Sequence, residues 1–389
     1  MESPFIYNKH VTGKNFIGRK ADITILTNLL NLGENVVIYE PAKSGKRSLV
    51  EQTLFNMKIA TQRFNVADVS FLSARTVADL MIMLGSAIIR AGANSPNDYK
   101  SIVSRHLEGT HFVFDDQLYS ERDQILSLNW DIDDNDIRAV VSLPYRLSKL
   151  SGQRMFVYIS EFQNVMLTED GEKVCHIMEG VFKNRTTEDR EAACYIMCGS
   201  EVNAMKAIFE HGHFFYRQAE HLKMSTVDSK EIIDHIIRCY LNSGKVIERE
   251  LLLGVCKLFN NNLWYINHFN SICDSLAKGY IMEPILVDAL DTLIAIHEPR
   301  FIRIMNDLTT FQVCLLKAVT DGHTKFSSAD VIHSYNLNSS ANVRRLKDAL
   351  CKKEILTFNE KDEPSILDPL FEYWVTKYYF AKYFSGTSK

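Results

Sequence analysis

The chain has 389 residues, 46% of them apolar and 24% charged, with a formal net charge of −4. That is material for two or three domains with ordinary cores, and it excludes a global basic field drawing the whole chain to nucleic acid or anionic lipid. Eight prolines and 17 glycines are too few for a long low-complexity linker. The opening MESPFIYNKHVTGKNF lacks a basic stretch followed by an apolar run, so no secretory leader is expected. No stretch reaches the ~20 apolar residues of a membrane span. The eight cysteines form no CxxC pair. Cys194 and Cys198, four apart in an extended apolar run, would stand about 13 Å from each other on one face. That is too far for a disulfide or a shared metal. Buried reduced thiols and a cytoplasmic location are therefore expected.

In chain order, residues 21–30 (ADITILTNLL) carry helical apolar spacing, and residues 35–39 (NVVIY) form a short β-rich apolar run of the buried parallel type. A small-residue loop then opens a helix. A strand-like NVADVSFL and a helix over residues 77–90 follow. MFVYI at 155–159 and the apolar run at 194–198 supply two more buried strands, each followed by a helical pattern. Strands alternating with helices predict an α/β domain with a parallel sheet. Residues 109–136 interrupt the alternation with apolar–polar alternation and eight acids from Asp115 to Asp136 against the single Arg122. The stretch reads as an inserted acidic hairpin. Its DIDDND resembles a calcium loop only superficially, because Asp136 stands where a glycine is needed and Ser142 where a bidentate glutamate is needed.

After residue 225 the strands stop. Helical patterns fill 229–241, 248–259, 263–278 and 283–297, with Asn260, Asn261 and Asn262 as a sharp turn. From about residue 301, two helix patterns precede Ser339-Ser340, an amphipathic helix, a strand, a turn at KDEP and another strand. That order is winged helix-turn-helix grammar. The expected organisation is an N-terminal arm (1–17), an α/β domain (18–225), a helical lid (226–300) and a winged helix (301–389).

The loop between the first strand and its helix reads Glu40-Pro41-Ala42-Lys43-Ser44-Gly45-Lys46-Arg47-Ser48. A buried strand, a loop ending GK and a helix is the context of a phosphate-binding loop, whose backbone N–H groups and helix N-terminus cradle phosphate. Ser44, Gly45, Lys46, Arg47 and Ser48 are the candidate nucleotide-binding residues, with Lys46 reaching the β/γ-phosphates. Two defining positions have changed. Glu40 replaces the first glycine, and Arg47 replaces the hydroxyl that binds Mg²⁺. At the end of MFVYISEF, Ser160 takes the place of the aspartate that helps hold Mg²⁺, while Glu161 stands where a water-polarising base belongs. A Glu40 carboxylate about 4 Å from phosphate would cost about 4 kcal/mol at an effective dielectric near 20, so it is expected to point elsewhere. ATP or ADP is the expected ligand, and Mg²⁺ has lost both protein-side partners. Arg47 is expected to pair with Glu161 in its stead.

The ordered set of GRK, phosphate loop, hhhhxEFQ, CGSE, FFYR, a helical lid and a terminal DPLFEYW resembles the P-loop ATPases of the STAND/AAA+ kind. It is most similar to the archaeal-type ATPase family, also abundant in Bacteroidetes-like bacteria. The resemblance covers residue 16 to about 374 and implies a P-loop NTPase sheet with lid and winged helix. It further implies that Gly18 and Arg19 lie beside the nucleotide and that Glu161 is the catalytic glutamate. Gly199 and Ser200 take the sensor position, and Arg217 faces the γ-phosphate region. Glu40, Arg47 and Ser160 depart from the family, and all three damage the metal–phosphate contact. The expected function is a nucleotide-responsive switch with weak or lost hydrolysis. The alternatives are a pseudo-ATPase scaffold with a protein partner, or a DNA-binding regulator acting through Arg344, Arg345 and Lys347. His211, His213 and His221 have no acidic or thiol partner at ligand spacing, and no metal site is expected there.

Overall fold

A computed structural model describes residues 3–211 and 214–381. The chain forms two compact units. One comprises Lys20–Glu40 with Leu49–Ser225; the other comprises the described residues up to Arg19, Pro41–Ser48 and those from Thr226 onward.

The first unit is α/β. Its elements begin with α1 (Lys20–Asn31), β1 (Val36–Tyr39), α2 (Lys46–Ile59, which starts in the other unit), β2 (Phe64–Ser70), α3 (Val77–Gly92) and α4 (Pro96–His106). They continue with β3 (Phe112–Val113), α5 (Asp116–Arg122), β4 (Ser127–Leu128), α6 (Asp134–Ser151), β5 (Arg154–Ser160) and α7 (Gly171–Lys183). α8 (Thr187–Ala192), β6 (Ala193–Gly199), α9 (Val202–Lys206) and β7 (Glu220–His221) complete it. The central sheet has the order β2-β5-β6-β1-β7, every pair parallel. β1 and β6 are buried at every residue, as continuous apolar runs between two helical layers must be. Asn35, fully buried, sets β1 in place: its Oδ1 accepts the Tyr195 N–H at 3.0 Å and its Nδ2 donates to Gln218 O at 3.0 Å.

The expected hairpin at 109–136 is only partly a hairpin. β3 and β4 do pair antiparallel, Phe112 opposite Leu128, but α5 stands between them. DIDDND is exposed at Asp131, Asp133 and Asp134, yet it leads into a helix and is not a hairpin tip. Asp133 and Asp136 form a capping box that starts α6, and buried Asp136 accepts the His111 N–H at 2.8 Å and the Asp133 N–H at 2.9 Å. Against the upward push of burial, these N–H groups hold the Asp136 carboxyl below its usual range. His111, Asp133 and Asp136 lie close enough together to suggest a metal cluster, but their atoms already serve the helix start.

The second unit holds α10 (Ser229–Asn242), β8 (Val246–Ile247), α11 (Arg249–Leu258), α12 (Leu263–Leu276), β9 (Tyr280–Ile281) and α13 (Glu283–Asn306). It continues with α14 (Thr310–Thr320), α15 (Ala329–Ser334), α16 (Ser340–Lys352), the antiparallel β10 (Leu356–Phe358) and β11 (Pro364–Ile366), and α17 (Pro369–Trp374). The lid–wing boundary expected after residue 300 falls inside α13, and one apolar core runs from Phe5 and Ile17 through the lid helices to Phe371 and Trp374. The N-terminal arm is part of that core: Phe5 packs edge-on against Tyr240 at 4.7 Å, and Tyr7 stacks on His268 at 4.2 Å.

Among the described residues, no single helix is long and apolar enough to span a membrane. All eight cysteines are free, six of them buried.

Candidate functional site

In an open parallel sheet, ligands meet the carboxyl ends of the strands where the strand order reverses. β1, flanked by β6 and β7, marks that position here. Its end is level with its neighbours: Tyr39 pairs with Gly199, Ile159 with Met197, and Ser70 with Ser160. Ser160, Glu161, Gly199 and Ser200 therefore share one sheet edge with the strand that leads into the phosphate loop.

At this edge the Glu161 carboxylate accepts from Ser200 Oγ at 2.5 Å and from Gln163 Nε2 at 2.7 Å. Buried Gln163 in turn presses Oε1 on Gly199, where a Cβ would meet it at 2.8 Å and Met205 at 2.3 Å. Burial and the nearby Glu161 charge raise the Glu201 carboxyl above its usual value. Ser160 Oγ donates to Val69 O of the neighbouring strand at 3.4 Å. Glu40 accepts the Met224 N–H at 3.3 Å. Tyr39, the last residue of β1, stacks on His221 at 4.2 Å and donates to Glu210, a contact no sequence signal announces. His213 lies outside the described residues, as does the His211 side chain.

The phosphate loop belongs to the second unit. Gly45 has φ +90°, open to glycine but strained for other residues, and the Arg19 Nη1 lies 3.3 Å from where its Cβ would stand. Gly18, at φ +66°, lies so close to α10 that a Cβ would meet Val227 at 2.7 Å and Glu231 at 2.8 Å. Lys46 folds over the loop, its Nζ donating to Pro41 O at 2.9 Å and Ser44 Oγ at 3.5 Å. Ser48 Oγ accepts the Val11 N–H at 3.1 Å from the N-terminal arm. A cavity of about 560 Å³ opens beside the GR pair, lined by Lys14, Phe16, Gly18 and residues of α10. Arg47 belongs to this unit and Glu161 to the other.

Three non-glycine candidate residues hold left-handed backbone, Arg19 (φ 55°), Glu161 (54°) and Arg217 (58°), as does Lys43 (67°) beside the loop candidates. Such conformations cost of order 1–3 kcal/mol each and gather at functional sites. Arg217 is exposed, its guanidinium 5.2 Å over the ring of Tyr216. In α16, Arg344 and Arg345 are exposed, but Lys347 bonds to Asp362 in the wing turn and lies 4.2 Å over Phe358.

The family model described as "Probable winged helix domain" matches residues 299–377. No curated protein matches the chain in sequence. Among solved structures, the chain is similar to a Walker-type ATPase of Pyrococcus abyssi, with a TM-score of 0.65 and 13% identity over 95% of this chain and 99% of that one. It is similar also to the ORC2 protein of Aeropyrum pernix solved as ADPNP–ADP complexes, with a TM-score of 0.57 and 13% identity over 95% and 98%. The ADP form of that protein gives 0.56 and 11% over 99% and 98%. The likeness is one of fold. The chain has an α/β portion with a parallel central sheet like that of these P-loop ATPases, plus a C-terminal winged helix domain.

Proposed function

We propose that this chain, with its P-loop ATPase fold and winged helix, is a nucleotide-responsive switch of the STAND/AAA+ kind that binds ATP or ADP and hydrolyses weakly or not at all. The observation that carries the reading is the phosphate loop itself: Gly45 at φ +90°, Arg19 against it and Lys46 folded over it, at the start of α2. Backbone N–H groups, the helix N-terminus and the cations Arg19 and Lys46 give phosphate oxygens what they require. The similar Aeropyrum pernix protein, solved with ADPNP and ADP and with ADP, supports this ligand class.

The residues present fit nucleotide better than Mg²⁺. Arg47 offers no oxygen ligand in the hydroxyl position, and Ser160 offers only a neutral hydroxyl in place of a carboxylate, so both serve a hard cation poorly. In this reading Arg47 neutralises phosphate charge, Glu161 polarises water under the hold of Ser200 and Gln163, and Arg217 faces the terminal phosphate. The DNA reading draws support from exposed Arg344 and Arg345, while Lys347 is engaged within the wing.

Calorimetric titration with ATP and ADP, with and without Mg²⁺, tests the proposal. Binding is expected to be nearly independent of Mg²⁺, and Lys46→Ala should weaken it about 10–100-fold, the loss of one or two charge-assisted hydrogen bonds. No binding heat with either nucleotide would leave the scaffold alternative.

A further inference from the structure

Lys43 is not among the residues that a phosphate-loop pattern singles out, yet its ammonium lies over two aromatic rings. Its backbone is left-handed, and its Nζ lies 3.7 Å from the centre of the Trp264 ring and 5.1 Å from that of Tyr265. Among the described residues, no carboxylate comes within ion-pairing distance of this ammonium. Burial, followed by the Arg300 charge, lowers it to about 8.

Trp264 and Tyr265 form the first turn of α12, their N–H groups capped by Asn262 Oδ1 at 3.0 and 3.2 Å. The Tyr265 hydroxyl reaches onward to both carboxylate oxygens of Asp368 at 2.9 Å. Asp368 is a hub. Its Oδ1 caps α17 through the Leu370 and Phe371 N–H groups, and its Oδ2 accepts Arg300 Nη2 at 2.5 Å. The terminal DPLFEYW segment is thereby joined through Tyr265, which Arg300 Nη2 also reaches at 3.2 Å, to the ring pair that holds a residue of the phosphate loop.

We propose that Lys43 is a latch: docked on Trp264 and Tyr265 it holds the first turn of α12 to the Asp368 hub, and phosphate charge in the loop withdraws it. The withdrawal rests on the nucleotide-binding reading; the docking does not. A lysine bound to phosphate forms charge-assisted hydrogen bonds, whereas over a ring it has only the quadrupole attraction. Phosphate therefore outcompetes the rings. Once Lys43 leaves, Trp264 and Tyr265 lose the cation that packs them, and the link from Tyr265 to Asp368 loosens. Nucleotide occupancy is thus transmitted to the winged helix by one side chain.

Amide hydrogen exchange of the full chain tests this, read in residues 263–268 and 368–374. Without nucleotide, Lys43→Met should exchange on the order of five- to ten-fold faster there, and Lys43→Arg, which restores a cation to the rings, should stay within about two-fold of the native chain. ADP added to the native chain should reproduce the Lys43→Met pattern, and added to Lys43→Met should change these segments no further. Unchanged exchange in Lys43→Met overturns the latch, whether or not nucleotide binds. ADP that binds by calorimetry but leaves residues 263–268 unchanged overturns the withdrawal. Absence of any binding heat defeats the underlying nucleotide reading and the withdrawal with it, while the docking is still judged by Lys43→Met.

Discussion

At the scale of single residues, three replacements decide what the loop and sheet edge can do. On the proposed reading, Arg47 supplies no oxygen ligand for Mg²⁺ and Ser160 supplies a neutral hydroxyl in place of a carboxylate. Glu161 survives, oriented by Ser200 and Gln163. If Glu161 is the base, as proposed, a base without a positioned metal gives little phosphoryl transfer. The unmodified chain should therefore hydrolyse ATP at near-background rate in a phosphate-release assay. Arg47→Thr combined with Ser160→Asp should raise Mg²⁺-dependent turnover about ten-fold or more, since each ~1.4 kcal/mol of recovered transition-state stabilisation is tenfold. Brisk turnover by the unmodified chain, lost on Glu161→Gln, would show that the changed positions do not matter. Glu40, the third departure, is engaged by the Met224 backbone, in keeping with the electrostatic cost expected of a carboxylate beside phosphate.

At the scale of elements, the lid helices carry a buried histidine, His235, and a half-buried one, His297, whose titration makes stability depend on pH. Burial pushes His235 down to about 4, helped by Arg238; burial likewise pushes His297 down to about 4, helped by Lys43, Arg300 and His268. The unfolded chain takes up these protons near the ordinary histidine value of 6.5, but the fold resists until about 4. Between those values the unfolded state binds more protons, so stability rises with pH and is lost on acidification. His268, His221 and His106 shift in the same direction, while His111, bonded to Asp136, shifts the opposite way and offsets part of the effect. Urea midpoints at about pH 7 and about pH 5 should show the lower stability at the acid end, with the gap narrowed in His297→Gln. A midpoint that rises on acidification would contradict this balance. The helices themselves were legible in the sequence from their 3.6-residue spacing, as was the Asn260–Asn262 turn, where Asn260 and Asn261 are left-handed. The burial of their histidines was not, because it depends on which helix faces are covered.

At the scale of the whole molecule, a net charge of −4 provides no long-range attraction to DNA, so any such binding must come from a local patch. With Lys347 tied to Asp362, that patch narrows to Arg344 and Arg345 with the exposed Lys352 and Lys353. If it binds duplex DNA, affinity should fall steeply with salt, by roughly one power of salt concentration per phosphate contacted. Arg344→Ala with Arg345→Ala should then abolish an electrophoretic shift seen at low salt. A shift that survives the double change would move the contact elsewhere, and no shift at low salt would remove DNA as a partner.

The alternation of apolar runs with helical patterns, the loop ending in Gly45-Lys46 and the helix–strand–turn–strand ending were all written locally, in neighbours along the chain. Local patterns sufficed for the α/β class and the winged helix. Where one element meets another depends on contacts between distant residues, and those only the tertiary structure decided. It merged lid and wing through α13 and one shared core, and turned the acidic DIDDND into the cap of α6. It also set Lys43 on Trp264, 221 positions along the chain, and bonded Tyr265 to Asp368. No periodicity encodes such pairs, because their partners are chosen by packing and not by spacing.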